Sequence, residues 1–319
     1  PTYAGKPINV LAGTAVDAGP AGADVQTVQV TIKQSTSTLY WDGDGFDVNT
    51  SSWILANGTT VWWYLPSPAP FITGWEYQAQ ARMLDRAGNI STDPASGFIT
   101  FLYDTAVPTV SVLEPNAAFE KTLTVLSGIA GDNLYALPQQ NAGIERIEVS
   151  IRVENGAQAS KYWSQNSGVE ATEFDTFTEN WWPAVGFTAG LSTADWRYTN
   201  IPTWVVWQVY TVRVRILDRA RNLDAGPVAN VSSVTFRYDP TPPTVNIGFP
   251  DSRQRQAAVT QSSGTAGDTG SSVALVEMRI RINTGDDAGK FWDKSSRNPA
   301  QFSILPAAAE TAWVPVNGT

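Results

Sequence analysis

Residues Tyr210 to Asn222 read YTVRVRILDRARN, and Tyr77 to Asn89 read YQAQARMLDRAGN. Each stretch is a strand followed by a turn, so the chain carries the same unit twice. Tyr210, Val212, Val214 and Ile216 fall on one side of an extended chain, and Thr211, Arg213, Arg215 and Leu217 on the other. Alternation with a period of two marks a half-buried β-strand. The Asp-Arg-Ala-x-Asn that follows supplies the short polar side chains that a tight reversal needs, with Gly88 added in the first copy.

Working outward, the same landmarks surround both copies. Gly-x-Ala-x-Asp occurs at Gly13–Asp17, Gly128–Asp132 and Gly264–Asp268. An alternating strand comes next, with Val28, Val30 and Ile32 inward in the first copy. Ile147, Val149 and Ile151 do this in the second, and Val276, Met278 and Ile280 in the third. The residues between them are polar, as in an antiparallel sheet with one wet face. An aromatic-Trp pair follows each strand, at Tyr40-Trp41, Tyr162-Trp163 and Phe291-Trp292. A later Trp-bearing strand is read at Trp62-Trp63, at Trp196 and at Trp313. Closing strands run through Ile99, Phe101 and Tyr103 and through Val234, Phe236 and Tyr238.

Pro-Thr at Pro1, Pro108 and Pro243 sets the phase, and proline stiffens such linkers. The expected domains are 1–107, 108–242 and 243–319, the third without the LDRAxN strand and the closing strand. This shortfall suggests a fragment of a longer array. Residues 133–143 and 164–195 read as loop insertions peculiar to the second copy. The fold class is all-β: tandem sandwiches, two complete and one truncated at its C-terminal side.

Composition narrows the chemistry. The 319 residues include no His and no Cys. That removes the Ser-His-Asp triad, thiolate nucleophiles, disulfides and most zinc, copper or haem ligation. A formal net charge of −9 without a basic run argues against nucleic acid. No run of about 20 apolar residues is present to span a membrane. A glycosidase would need two carboxylates at set separation, and no barrel pattern surrounds such a pair, so no enzyme is expected.

The ordered landmarks resemble bacterial immunoglobulin-like tandem repeats of large secreted or cell-surface proteins. The resemblance implies a stalk, filament or surface-layer element outside the cell, with copies of itself or other surface components as partners. The alternative is an adhesin or glycan-binding array, with Trp181, Trp182, Trp204 and Trp207 of the second copy as the stacking or subunit-contact residues. No cofactor is required. Some such repeats stiffen their junctions with calcium, which takes six to eight oxygens. Asp85, Asp104, Asp218 and Asp239 are the candidate ligands, and Asp17, Asp132 and Asp268 recur beside them. The ordinary use of such Asp side chains is to cap turns. Tyr77 and Tyr210 stand where a sandwich places its tyrosine corner. Asp42-Gly-Asp-Gly-Phe-Asp47 resembles a calcium loop but lacks EF-hand spacing.

Overall fold

The computed structural model describes residues 2–4, 10–17, 24–67, 70–91, 97–132, 139–165, 173–224, 226–251, 255–293 and 302–316. It forms two compact units, Pro1–Arg237 and Tyr238–Thr319. The first unit holds two immunoglobulin-like β-sandwiches in tandem.

In the second repeat the main sheet runs in the order Phe119–Glu120, Ser233–Tyr238, Val209–Asp218, Ile144–Val153, Tyr162–Trp163, Phe174–Thr176. The facing sheet is Thr109–Glu114, Leu126–Gly131, Thr193–Tyr198. The opening stretch is therefore a central strand, and its alternation is real. Tyr210, Val212, Val214 and Ile216 are fully buried, while Thr211, Arg213 and Arg215 are half-exposed. Leu217 departs from the pattern and is buried too. Ile147, Val149 and Ile151 on the neighbouring strand complete the inner face, with Trp196 and Leu126 contributed by the opposite sheet. At roughly 1.5–3 kcal/mol for each large apolar side chain, this inner layer is the main stabilising term.

The first repeat uses the same plan, with Val25–Gln34 and Trp75–Asp85 central and Leu11–Thr14 paired to Val61–Tyr64 opposite. The tyrosine corner is present in both copies. Tyr77 Oη accepts the Ile72 N–H at 2.9 Å, and Tyr210 Oη accepts the Val205 N–H at 2.9 Å.

Register corrects two expectations. Residues 164–195 are not simply an inserted loop. Phe174–Thr176 pairs with Tyr162–Trp163 just as Phe46–Val48 pairs with Tyr40–Trp41. Trp182–Pro183 lies opposite Glu148 and Val149 just as Ile54–Leu55 lies opposite Gln29 and Val30. The strand containing Trp313 is also reassigned. Val314–Pro315 lies opposite Glu277 and Met278 in that same register. Trp313 is thus the counterpart of Trp53 and Trp181, whereas Trp62 and Trp196 form a separate pair, opposite Gly13 and Gly128.

The second unit contains three two-stranded pairs: Thr244–Phe249 with Ser263–Gly267, Glu277–Met278 with Val314–Pro315, and Phe291–Trp292 with Phe302–Ile304. A 3-10 segment, Pro306–Ala312, follows the last. Among the described residues, no counterpart of Val209–Asp218 or Ser233–Tyr238 covers it. Val245 and Ile247 are accordingly 68% and 69% exposed, where the equivalent Val110 is buried.

Candidate metal centre at the junction of the first two repeats

Strand polarity decides which carboxylates can meet. Trp75–Asp85 and Ile99–Tyr103 are antiparallel, with Tyr103 opposite Trp75. Asp85 therefore lies ten residues from the pole where Asp104 exits, roughly 33 Å at 3.3 Å per residue. A repeat's own turn Asp and exit Asp cannot share an ion. The exit Asp instead faces the entry pole of the next repeat, where Asp132 follows Leu126–Gly131 and Asp218 ends Val209–Asp218.

There the structure brings Asp104, Asp132 and Asp218 together, one carboxylate oxygen from each lying within 4.8 Å of the others. All three residues are buried. Asp104 Oδ1 accepts the Ala106 N–H at 2.9 Å and the Thr73 hydroxyl at 3.3 Å, and Oδ2 accepts the Ala142 N–H at 2.7 Å. Asp132 Oδ2 accepts the Gly143 N–H at 2.7 Å. Asp218 accepts the Asn222 N–H and side-chain amide, both at 2.8 Å, and the same amide nitrogen donates to the Asp104 carbonyl at 2.9 Å. These donors are neutral. Burial pushes the Asp218 carboxyl up from the usual range, its bonds to Asn222 pull it down, and the Asp104 charge adds to the rise. The chemistry is that of a hard-cation site: converging oxygens, negative charge, no nitrogen or sulfur donors.

Of the expected metal ligands, Asp104 and Asp218 are brought together and Asp132 joins them. Asp85 and Asp239 are not in this cluster. Asp85 caps its own turn, accepting the Asn89 N–H and side-chain amide at 2.8 Å, and these bonds hold its carboxyl below the usual range. Asp239 is buried in the second unit and caps Thr241. Asp268, in the same unit, accepts the Gly270 and Ser271 N–H groups. Asp42 accepts the Asp44 and Gly45 N–H groups at 2.9 Å, so that loop is a capped turn.

The four tryptophans form no common platform. Trp204 is a core plug, edge-on to Tyr210 at 4.8 Å and Phe236 at 5.2 Å, with its indole N–H on the Leu123 carbonyl. Phe71 fills that place in the first repeat. Trp182 is half-buried and donates to the Trp163 carbonyl. One face of Trp181 is occupied by the Arg215 guanidinium at 4.2 Å, as Arg82 covers Trp53 at 4.2 Å in the first copy. Trp207 is the exposed member, at 49%, held at φ +69° where the first repeat has Gly74 at φ +84°.

No family model matches the chain, and no curated protein matches it. Among solved structures it is similar to the FN1–FN3 domains of chicken CNTN1, with 12% identity and a TM-score of 0.30 over 74% of this chain and 65% of that one. A tetra-tandem repeat in the extending region of a large adhesion protein aligns with 14% identity and a TM-score of 0.27, over 85% and 64%. The native conformation of E. coli alpha-2-macroglobulin aligns with 10% identity and a TM-score of 0.23, over 81% and 15%. The chain therefore spans less than two thirds of the length of each. Among the described residues no helix is long and apolar enough to cross a membrane.

Proposed function

We propose that the chain is a load-bearing segment of an extracellular or cell-surface array, a stalk or filament of immunoglobulin-like repeats whose first junction is fixed by calcium. The observation that carries this reading is the three-carboxylate cluster, because it takes one ligand from the first repeat and two from the second. Backbone bonds cross the same junction: Gln140 N–H donates to the Gly74 carbonyl at 2.8 Å. Asp104, Asp132 and Asp218 would hold the ion, which would neutralise their mutual repulsion and lock the angle between neighbours. Asp17 and Asp85 repeat the entry-pole pair on the first sandwich, so the site belongs to an array rather than to one domain.

The test is thermal unfolding of the whole chain in calcium and in chelator. Calcium at a hundred times its dissociation constant adds about 2.7 kcal/mol. Identical melting in calcium, magnesium and chelator would sink the junction reading while leaving the spacer role standing. The adhesive alternative rests on Trp207, whose exposed indole offers one stacking face. A glycan screen in which Trp207→Gly abolishes a retained signal would favour it.

A further inference from the structure

The two sandwiches of the first unit differ at one edge, and the difference has the form of a binding groove. In the second repeat, Thr109–Glu114 pairs with Leu126–Gly131, placing Val110 opposite Ala130 and Val112 opposite Gly128. The fit is close. A Cβ on Gly128 would collide with the Ser111 carbonyl and with Trp196, and the Trp196 indole donates to that carbonyl at 3.1 Å. In the first repeat, Leu11–Thr14 is the counterpart of Leu126–Gly131, paired on one side with Val61–Tyr64. Among the described residues, no strand occupies its other side.

What lies there is an apolar groove of about 410 Å³ lined by Leu11, Gly13, Ala15, Trp62, Ala81 and Ile99, among others. Its floor is widened by side-chain size, because Ala79 and Ala81 stand where the second repeat has Val212 and Val214. Gly13 keeps the floor open for a close backbone approach: a Cβ there would lie 2.7 Å from the Trp62 ring. The Trp62 indole N–H, counterpart of the one that holds Ser111, makes no hydrogen bond among the described residues.

The second unit presents the matching piece. Thr244–Phe249 is the counterpart of Thr109–Glu114 by sequence and by register, with Val245 opposite Ala266 and Ile247 opposite Gly264. It is held by a single neighbouring strand, and its apolar side chains have nothing to pack against. Strand addition of this kind takes affinity from main-chain bonds and specificity from alternate side chains.

We infer that the groove beside Leu11–Thr14 of one molecule receives the Thr244–Phe249 strand of a second copy of this chain. The strand exchanges Ser263–Gly267 for Leu11–Thr14, the Val245 and Ile247 side chains enter the groove, and the Asn246 carbonyl accepts from Trp62. The contact is heterologous, so it propagates head to tail instead of closing.

The test is self-association of the whole chain by sedimentation, with a fluorescent peptide of residues 242–250 as probe. The expected result is concentration-dependent assembly that excess peptide suppresses. Ile247→Asp, at a position already exposed, should weaken assembly by about tenfold or more without unfolding the chain. Trp62→Phe should weaken peptide binding while leaving the ring in place. A chain that stays monomeric and ignores the peptide overturns the proposal. A monomeric chain that binds the peptide overturns the assignment to a second copy. Assembly unaffected by both Ile247→Asp and the peptide also overturns it.

Discussion

Replacing Asp132 by Asn separates a cation site from a set of turn caps, because the two readings predict opposite signs. The amide oxygen of Asn can still accept the Gly143 N–H that Asp132 Oδ2 accepts at 2.7 Å, so the local turn survives. What disappears is one negative charge within 4.8 Å of two others. At that separation and an effective dielectric constant of about 20, each pair repels by about 3.5 kcal/mol, and Asp132 takes part in two pairs. The ceiling is therefore about 7 kcal/mol. Protonation of one carboxyl caps the penalty nearer 5 kcal/mol at neutral pH, from the gap between pH 7.5 and an Asp pKa of about 3.9.

In chelator, Asp132→Asn should thus stabilise the first unit by a few kcal/mol. In calcium the same variant has lost an anionic ligand. Each tenfold loss of affinity removes about 1.4 kcal/mol of the calcium-dependent gain. Urea unfolding of wild type and variant, each with calcium and with chelator, gives the four stabilities needed. The variant should be the more stable protein without calcium, and its advantage should shrink or reverse with it. If the variant is destabilised equally in both conditions, Asp132 is only a cap for Gly143 and the argument for a cation fails.

Three further outcomes follow from the geometry. Tyr210→Phe deprives the Val205 N–H of its acceptor at 2.9 Å and should cost about 1–2 kcal/mol in urea unfolding, with Tyr77→Phe costing a similar amount through Ile72. Trp207→Gly relieves a side chain held at φ +69°, and should raise stability by up to about 1 kcal/mol despite deleting an indole. Arg215→Met removes the guanidinium from the Trp181 face and from Glu148, which keeps Arg146 at 3.4 Å. The expected loss is about 0.5–1 kcal/mol, read from the urea midpoint.

Strand identity was legible where a side-chain period and a local turn coincide. Val209–Asp218 shows both, and its buried face follows the alternation from Tyr210 to Ile216. The short strands were harder, because two residues carry no period. Trp53-Ile54-Leu55, Trp181-Trp182-Pro183 and Trp313-Val314-Pro315 are one repeated tripeptide whose kinship emerges from register, since each lies across from the same inner strand. The signal was in the sequence as a Trp followed by an apolar residue and Leu or Pro. It was masked by the denser Trp62-Trp63 pair. The carboxylates show a different limit. Sequence order places Asp85 near Asp104, and only the antiparallel course of the strands puts them at opposite poles.

That polarity has a mechanical consequence. Each sandwich carries an exit Asp at one pole and an entry pair at the other, so no repeat holds a three-carboxylate site alone. Asp104 is the only one of the three that the first repeat contributes, and its Oδ2 already accepts the Ala142 N–H of the second. A cation there would bind to the neighbours as a pair, and its binding energy would resist bending at the junction rather than unfolding of either sandwich. Asp104→Asn should therefore leave each sandwich's own core contacts intact, since none of Tyr77, Phe101, Tyr210 or Phe236 touches the junction in forming its stacked aromatic pair. What it should change is how far calcium narrows the distance distribution between spin labels placed on the two repeats. Equal narrowing in wild type and variant would place the stiffness in the Gly74–Gln140 backbone contact instead of in the carboxylates.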